Sequence, residues 1–226
     1  MKFTYYGHSC FSVFAGGKNL LFDPFITPNE LASSINVDEV KADYIFLSHG
    51  HYDHTFDAVR IAKRTGAMAL GNWEIYDWLN KNGVTNNHPI NPGGKLTLDF
   101  GTVKCFTAIH SSSFADGTYA GAPSGFAFKT PDGNFYYSGD TGLTLDMGLI
   151  SKWVKLDFAV LPVGDCLTMG AEDALIAADL IGASIVVGVH YDTFGFIKID
   201  HKKSIETFGS AGKKLHLLDV GAIIDL

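Results

Sequence analysis

Between Leu47 and His54 the chain reads Leu-Ser-His-Gly-His-Tyr-Asp-His, so His49, His51, Asp53 and His54 place three imidazoles and a carboxylate within six residues. Imidazole nitrogen and carboxylate oxygen suit zinc, manganese or iron, and the thiolates of a structural zinc knuckle are absent from the stretch. The pattern therefore points to a catalytic metal centre. In an extended segment His49 and His51 fall on the same side and can share one ion. If a helix begins here, Asp53 and His54 diverge from that ion towards a second, so one short loop can seed two neighbouring metal positions.

The flanking residues are those needed to hold such a loop. Residues 44–47 are a short apolar run expected to form a buried strand, and residues 56–64 carry a helical pattern with Gly66 as its stop. A strand-loop-helix junction is where α/β proteins place ligands. Upstream, residues 3–14 alternate as a strand pair interrupted by Gly7-His8-Ser9, a further strand runs to Asp23-Pro24, and residues 26–40 form an irregular crossing. Downstream, Asn72 caps a surface helix over residues 73–82 that Gly83 stops, with Ile75, Trp78 and Leu79 turned inward. Residues 95–109 make a hairpin ending on His110, followed by a Ser/Gly/Ala-rich loop to Pro123 that faces substrate. The turn Pro131-Asp132-Gly133-Asn134 joins two strands, the second running into Gly139-Asp140. A β-α-β run through residues 156–163, Ala171–Ile181 and residues 184–189 ends on His190. His88 and His201 are expected to be solvated, and His216 to be structural within a closing strand.

Composition narrows the class. A chain of 226 residues, 46% hydrophobic and 18% charged, suits one globular domain spanning residues 1–226. No apolar run approaches the roughly 20 residues of a membrane helix, and no signal-peptide core opens the chain. Cys10, Cys105 and Cys166 are scattered, which fits a reducing, cytoplasmic setting better than a disulfide framework. A net charge of -7 without a basic run argues against a nucleic-acid partner and leaves a small-molecule substrate.

His49-x-His51-x-Asp53-His54 resembles the signature of the metallo-beta-lactamase superfamily. That resemblance implies an α/β (α+β) fold, a four-layer αββα sandwich with a two-metal site at one edge. It further implies an upstream Asp outside the ligand shell, matched by Asp23, and a His, an Asp and a His at later strand ends, matched by His110, Asp140 and His190. Metal one would take His49, His51 and His110, metal two Asp53, His54 and His190, and Asp140 would bridge them. Gly7-His8-Ser9, Met169-Gly170-Ala171 and the run His190-Tyr191-Asp192-Thr193-Phe194 resemble the lactonase-like subgroup that includes ascorbate-6-phosphate lactonase and N-acyl-phosphatidylethanolamine phospholipase D. The subgroup implies a place near the metals for His8, as substrate contact or proton donor, a pocket shaped by Met169, Tyr191 and Asp192, and a homo-oligomer.

The chemistry expected of such a set is hydrolysis of a small ester, lactone or phosphodiester by water activated between two divalent ions, zinc first and manganese or iron as alternatives, with Asp53 orienting the nucleophile. No Gly-x-Ser-x-Gly elbow offers a nucleophilic serine. The alternatives are a mononuclear iron dioxygenase on the same fold and, less favoured because no ligand is eroded, a non-catalytic metal-binding module.

Overall fold

The computed structural model describes all 226 residues, arranged as two seven-stranded sheets face to face with helices on the outside. In the first sheet β1 (Lys2–Gly7), β2 (Cys10–Ala15) and β3 (Lys18–Phe22) form an antiparallel meander, and β4 (Tyr44–Phe46), β5 (Met68–Gly71) and β6 (Asn87–Pro89) extend it in parallel. The parallel half needs crossovers, supplied by two short 3-10 turns before β4, by α1 (Tyr52–Thr55) and α2 (Ala58–Thr65), and by α3 (Trp73–Lys81). The second sheet repeats the plan. Strands β7 (Lys95–Leu98), β8 (Gly101–Thr107), β9 (Ser124–Thr130) and β10 (Gly133–Tyr137) are antiparallel. After α4 (Gly148–Trp153) come β11 (Phe158–Pro162), α5 (Ala171–Ile181), β12 (Ile185–Val189), α6 (His201–Ser210) and β13 (Lys214–His216), with the strands parallel. β14 (Ile223–Asp225) then crosses to the first sheet and pairs with β1, Phe3 opposite Ile224.

Phenylalanine makes the interface between the sheets. On the first sheet Phe3, Phe11, Phe22 and Phe46 stack face to face in sequence, at centroid spacings of 4.9, 4.5 and 5.3 Å. On the second, Phe128, Phe135 and Phe158 stack at 4.4 and 5.2 Å. The two ladders meet edge to face, Phe22 on Phe128 at 5.5 Å and Phe46 on Phe128 at 5.0 Å, which sets the positive ring edge against the negative face. A separate apolar layer, including Leu21, Ile45, Ile61, Ile75 and Leu79, seals α2 and α3 onto the first sheet. Phe22 touches both ladders with no exposure, so Phe22→Ala is expected to remove about 3–5 kcal/mol of stability, read as a lower urea midpoint.

Some local expectations need correction. The helix after the metal-binding stretch begins at Tyr52 rather than Phe56 and breaks around Phe56-Asp57. Asp57, on which the sequence raised no expectation, stands at the start of α2 without a side-chain capping bond. Its carboxylate instead accepts the backbone N–H groups of Ile26 and Thr27, at 2.7 and 2.9 Å, and the Thr27 hydroxyl at 2.6 Å. His216 lies in β13, which is not the last strand, and His88 lies in the edge strand β6, whose polar sequence and terminal proline hide it from any alternation pattern.

Candidate metal centre

The site forms where polar residues leave the carboxyl ends of buried strands. β4 carries apolar side chains through Leu47, whose N–H still bonds Leu70 in β5, and the chain then turns out through Ser48 and His49. Gly50 is required there because a Cβ would lie 2.1 Å from that of Ala120. α1 starts two residues later and presents Asp53 and His54. β8 leads to His110, β10 to Asp140 and β12 to His190, so four separate strands each deliver part of one centre.

Two ligand sets result. In the first, His49, His51 and His110 bring nitrogens within 4.8 Å of one another, with His49 Nε2 2.9 Å from His51 Nδ1. In the second, Asp53, His54 and His190 converge equally closely, and His8 joins them. Asp140 stands between the sets. Its Oδ2 lies 2.9 Å from His190 Nε2, 3.2 Å from His54 Nε2 and 3.7 Å from His110 Nε2.

Asp23 organises this arrangement from beneath. Its buried carboxylate accepts His54 Nδ1–H at 2.8 Å, Ser48 N–H at 2.8 Å, the Ser48 hydroxyl at 2.5 Å and the Tyr137 hydroxyl at 2.6 Å. Ser48 Oγ, donating to Asp23, accepts from His49 Nδ1 at 2.9 Å. Both imidazoles therefore turn their second nitrogen, Nε2, into the centre, one fixed directly and the other through Ser48. Neither Ser48 nor Tyr137 was expected from the sequence. Asp23→Asn is expected to weaken zinc binding by about 10–100-fold, measured by competition with a chromogenic chelator.

The electrostatics suit cations. Burial opposes a charge on His54, but Asp140, Asp53 and Asp23 outweigh it and raise its pKa well above the ordinary imidazole value. Burial likewise opposes charge on Asp140 and Asp53, yet the surrounding histidines hold both carboxyls below the usual range. Burial, with His54 nearby, pushes His49 down, leaving it neutral. His54 Nε2 and Asp140 Oδ1 are buried without any hydrogen-bond partner, a costly state that a divalent ion would relieve. The donor groups thus fit a bound divalent metal.

His8 is 1% exposed, and its Nε2 lies 2.9 Å from Asp53 Oδ2 while Nδ1 lies 3.0 Å from Thr193 Oγ1. Burial, reinforced by His190, lowers it to about 4, so it is neutral at pH 7. Backbone strain collects around it: His8, Asp23, His190 and Asp192 all adopt positive φ, between 38 and 62°, without being glycine.

The three residues expected to shape a pocket lie elsewhere. Met169 is fully buried in the main core, and Tyr191 is buried with its ring parallel to Tyr5 and its hydroxyl on the Leu218 carbonyl. Both are packing residues, because their side chains have no open surface to offer. Asp192 accepts from Ile199 N–H and meets His201 Nε2 at 2.6 Å, so His201 is paired rather than merely solvated.

Fold and site together are those of the beta-lactamase superfamily, whose domain matches residues 18–191. Over its full length the chain is 49% identical to a UPF0173 metal-dependent hydrolase of Flavobacterium johnsoniae, covering 100% of both. It is also similar to the solved structure of Igni18, a metallo hydrolase from the hyperthermophilic archaeon Ignicoccus hospitalis, with a TM-score of 0.89 at 34% identity over 99% of this chain and 97% of that one. An isothiocyanate hydrolase from Delia radicum gut bacteria shares the fold, with a TM-score of 0.80 at 18% identity over 100% and 99% of the two chains. The chain belongs to the UPF0173 metal-dependent hydrolase family. None of its helices is long and apolar enough to cross a membrane.

Proposed function

We propose that this protein is a two-metal hydrolase of a small ester, lactone or phosphodiester. The observation that carries the reading is Asp140, whose carboxylate lies between two complete ligand sets, within 3.7 Å of histidines from both. His49, His51 and His110 would hold one divalent ion, Asp53, His54 and His190 the other, with zinc first and manganese or iron as alternatives. A pair of ions held so would lower the pKa of a shared water and polarise the oxygen of the bond under attack. The chain's own residues supply the rest. Asp53, with its carboxylate held by His8 and one-fifth exposed, can accept a proton from the attacking water. His8 contributes by holding Asp53, its Nε2–H donating while Thr193 hydroxyl supports Nδ1. The lactone option draws on the likeness of Gly7-His8-Ser9 to the lactonase-like subgroup.

The test is metal content per chain in protein purified without added metal. About two equivalents of zinc or manganese are expected, as two-metal sites require. A single equivalent of iron, with oxygen consumed on a thiol substrate, would replace this reading by a dioxygenase.

A further inference from the structure

The aromatic side chains beside the second ligand set form a continuous run of ring contacts that the metal chemistry does not use. Phe25 and Phe194 both pack against His8, at centroid distances of 5.5 and 5.4 Å. From Phe25 the contacts run to Tyr52 at 5.6 Å and on to Phe56 at 5.1 Å, and from Phe194 to Phe196, stacked at 5.7 Å. Phe25 is buried, but Tyr52, Phe56 and Phe196 are 44, 46 and 60% exposed. Several large aromatics left open side by side at the border of a polar centre mark a surface that a ligand covers. At its Tyr52 end this surface continues into a cleft of about 440 Å³, where Trp78 stacks on Phe114 at 5.1 Å. Tyr52 itself sits between His51 and Asp53 in the chain and lines the cleft together with Thr55, Phe56 and Val59.

No arginine is held at this wall. The chain has two arginines, and both are engaged away from it, Arg60 with Asp38 and Arg64 with the carbonyls of Val37 and Val40. Lys198, the lysine closest to Phe196 in sequence, lines a different cleft with Asp165 and Asp200. An anionic group in the cleft beside Tyr52 would meet the Asp116 carboxylate and no guanidinium.

The geometry points to this wall as the subsite for an uncharged, apolar part of the substrate, an acyl chain or aryl ring, whose reacting group lies at the ligand sets. The position of the reacting group rests on the hydrolytic reading above; the apolar affinity of the wall does not. The substrate class is thereby an apolar ester or lactone rather than a compound bearing a second phosphate or carboxylate.

Two measurements on the full chain test it separately. In the first, the neutral fluorophore N-phenyl-1-naphthylamine is titrated with and without zinc. Saturable binding is expected, weakened about tenfold or more by the double substitution Tyr52→Ala/Phe196→Ala, since two exposed rings are removed. Leu149→Ala, in a separate groove beside Trp153, serves as the comparison. Binding that survives the double substitution and is lost in Leu149→Ala overturns the proposal. In the second, zinc-loaded protein hydrolyses ethyl acetate and ethyl octanoate, followed by acid release. A kcat/KM at least about tenfold higher for the octanoate is expected, given several-fold per buried methylene, and the double substitution should bring the ratio close to one through KM. Equal kcat/KM for the two esters in the unaltered protein overturns the subsite. Turnover of neither ester, with probe binding intact and sensitive to the double substitution, removes the ester reading and leaves the apolar wall standing. An unchanged urea midpoint establishes that the double variant is folded.

Discussion

Asp53→Ala will lower turnover by about a thousandfold or more on any substrate the zinc-loaded protein hydrolyses, a loss typical of removing a group that acts on the reacting atoms. The side chain is the one carboxylate that belongs to a ligand set and is still partly open, 20% exposed at the side chain, with His8 holding one of its oxygens. The fold should survive the change. Asp53→Ala removes a carboxylate whose ionised form the neighbouring histidines favour in the fold, and leaves buried His8 Nε2 without its partner, while His54 keeps Asp140 and Asp23. The metal-free variant is therefore expected to unfold at a modestly lower urea midpoint than the unaltered chain. Wild-type rates in Asp53→Ala would sink the two-metal mechanism. A midpoint far below that of the unaltered chain would instead show that Asp53 is part of the scaffold.

Zinc loading will raise the melting temperature by about 8–16 °C at a free concentration a thousandfold above Kd, because binding to the native state alone contributes about 4 kcal/mol there and a chain of this size gains roughly 2–4 °C per kcal/mol. The sign of its pH dependence follows from His54. The carboxylates hold a proton on that ring at neutral pH in the metal-free chain. Its pKa is raised on folding, so its contribution to metal-free stability is fully present below about pH 6.5 and is lost as pH rises through the higher folded value. Zinc must displace that proton. The zinc-induced shift in melting temperature should accordingly grow between pH 6 and 8, and calorimetry at pH 7 in buffers of different ionisation enthalpy should register proton release. His49→Ala/His190→Ala, which takes one imidazole from each set, should abolish the shift. A shift that persists there would mean that zinc binds elsewhere.

The residues that chemistry demands were legible because they are dense or because they interrupt apolar strands. His49, His51, Asp53 and His54 stand out by spacing, and His110, Asp140 and His190 each follow a buried strand, where a polar side chain is conspicuous. The two-sheet sandwich was implied by the resemblance of the motif to the metallo-beta-lactamase superfamily, while the alternation of strands and crossovers placed many of its elements. What stayed hidden is tertiary. Tyr137 reaches Asp23 across 114 residues of sequence, and nothing in its strand separates it from the neighbouring core tyrosine, Tyr136. Asp57 stands at the start of a helix and serves a distant loop instead. Asp192 was assigned to a pocket through the resemblance to the lactonase-like subgroup, whereas its carboxylate meets His201 and its backbone holds a positive φ. β6 and β14 are three-residue edge strands, too short to show a period.

The carboxylate of Asp23 also works as a mechanical linkage. Ser48 and His54 come to it from the first sheet, Tyr137 from the second, and all three end on oxygens of one rigid group. Any slip of one sheet across the other pulls on that group and tilts the imidazoles it orients. The metal centre thus acts as a gauge of how the phenylalanine ladders interlock, and a core substitution far from any ligand will register first as a looser grip on the ion.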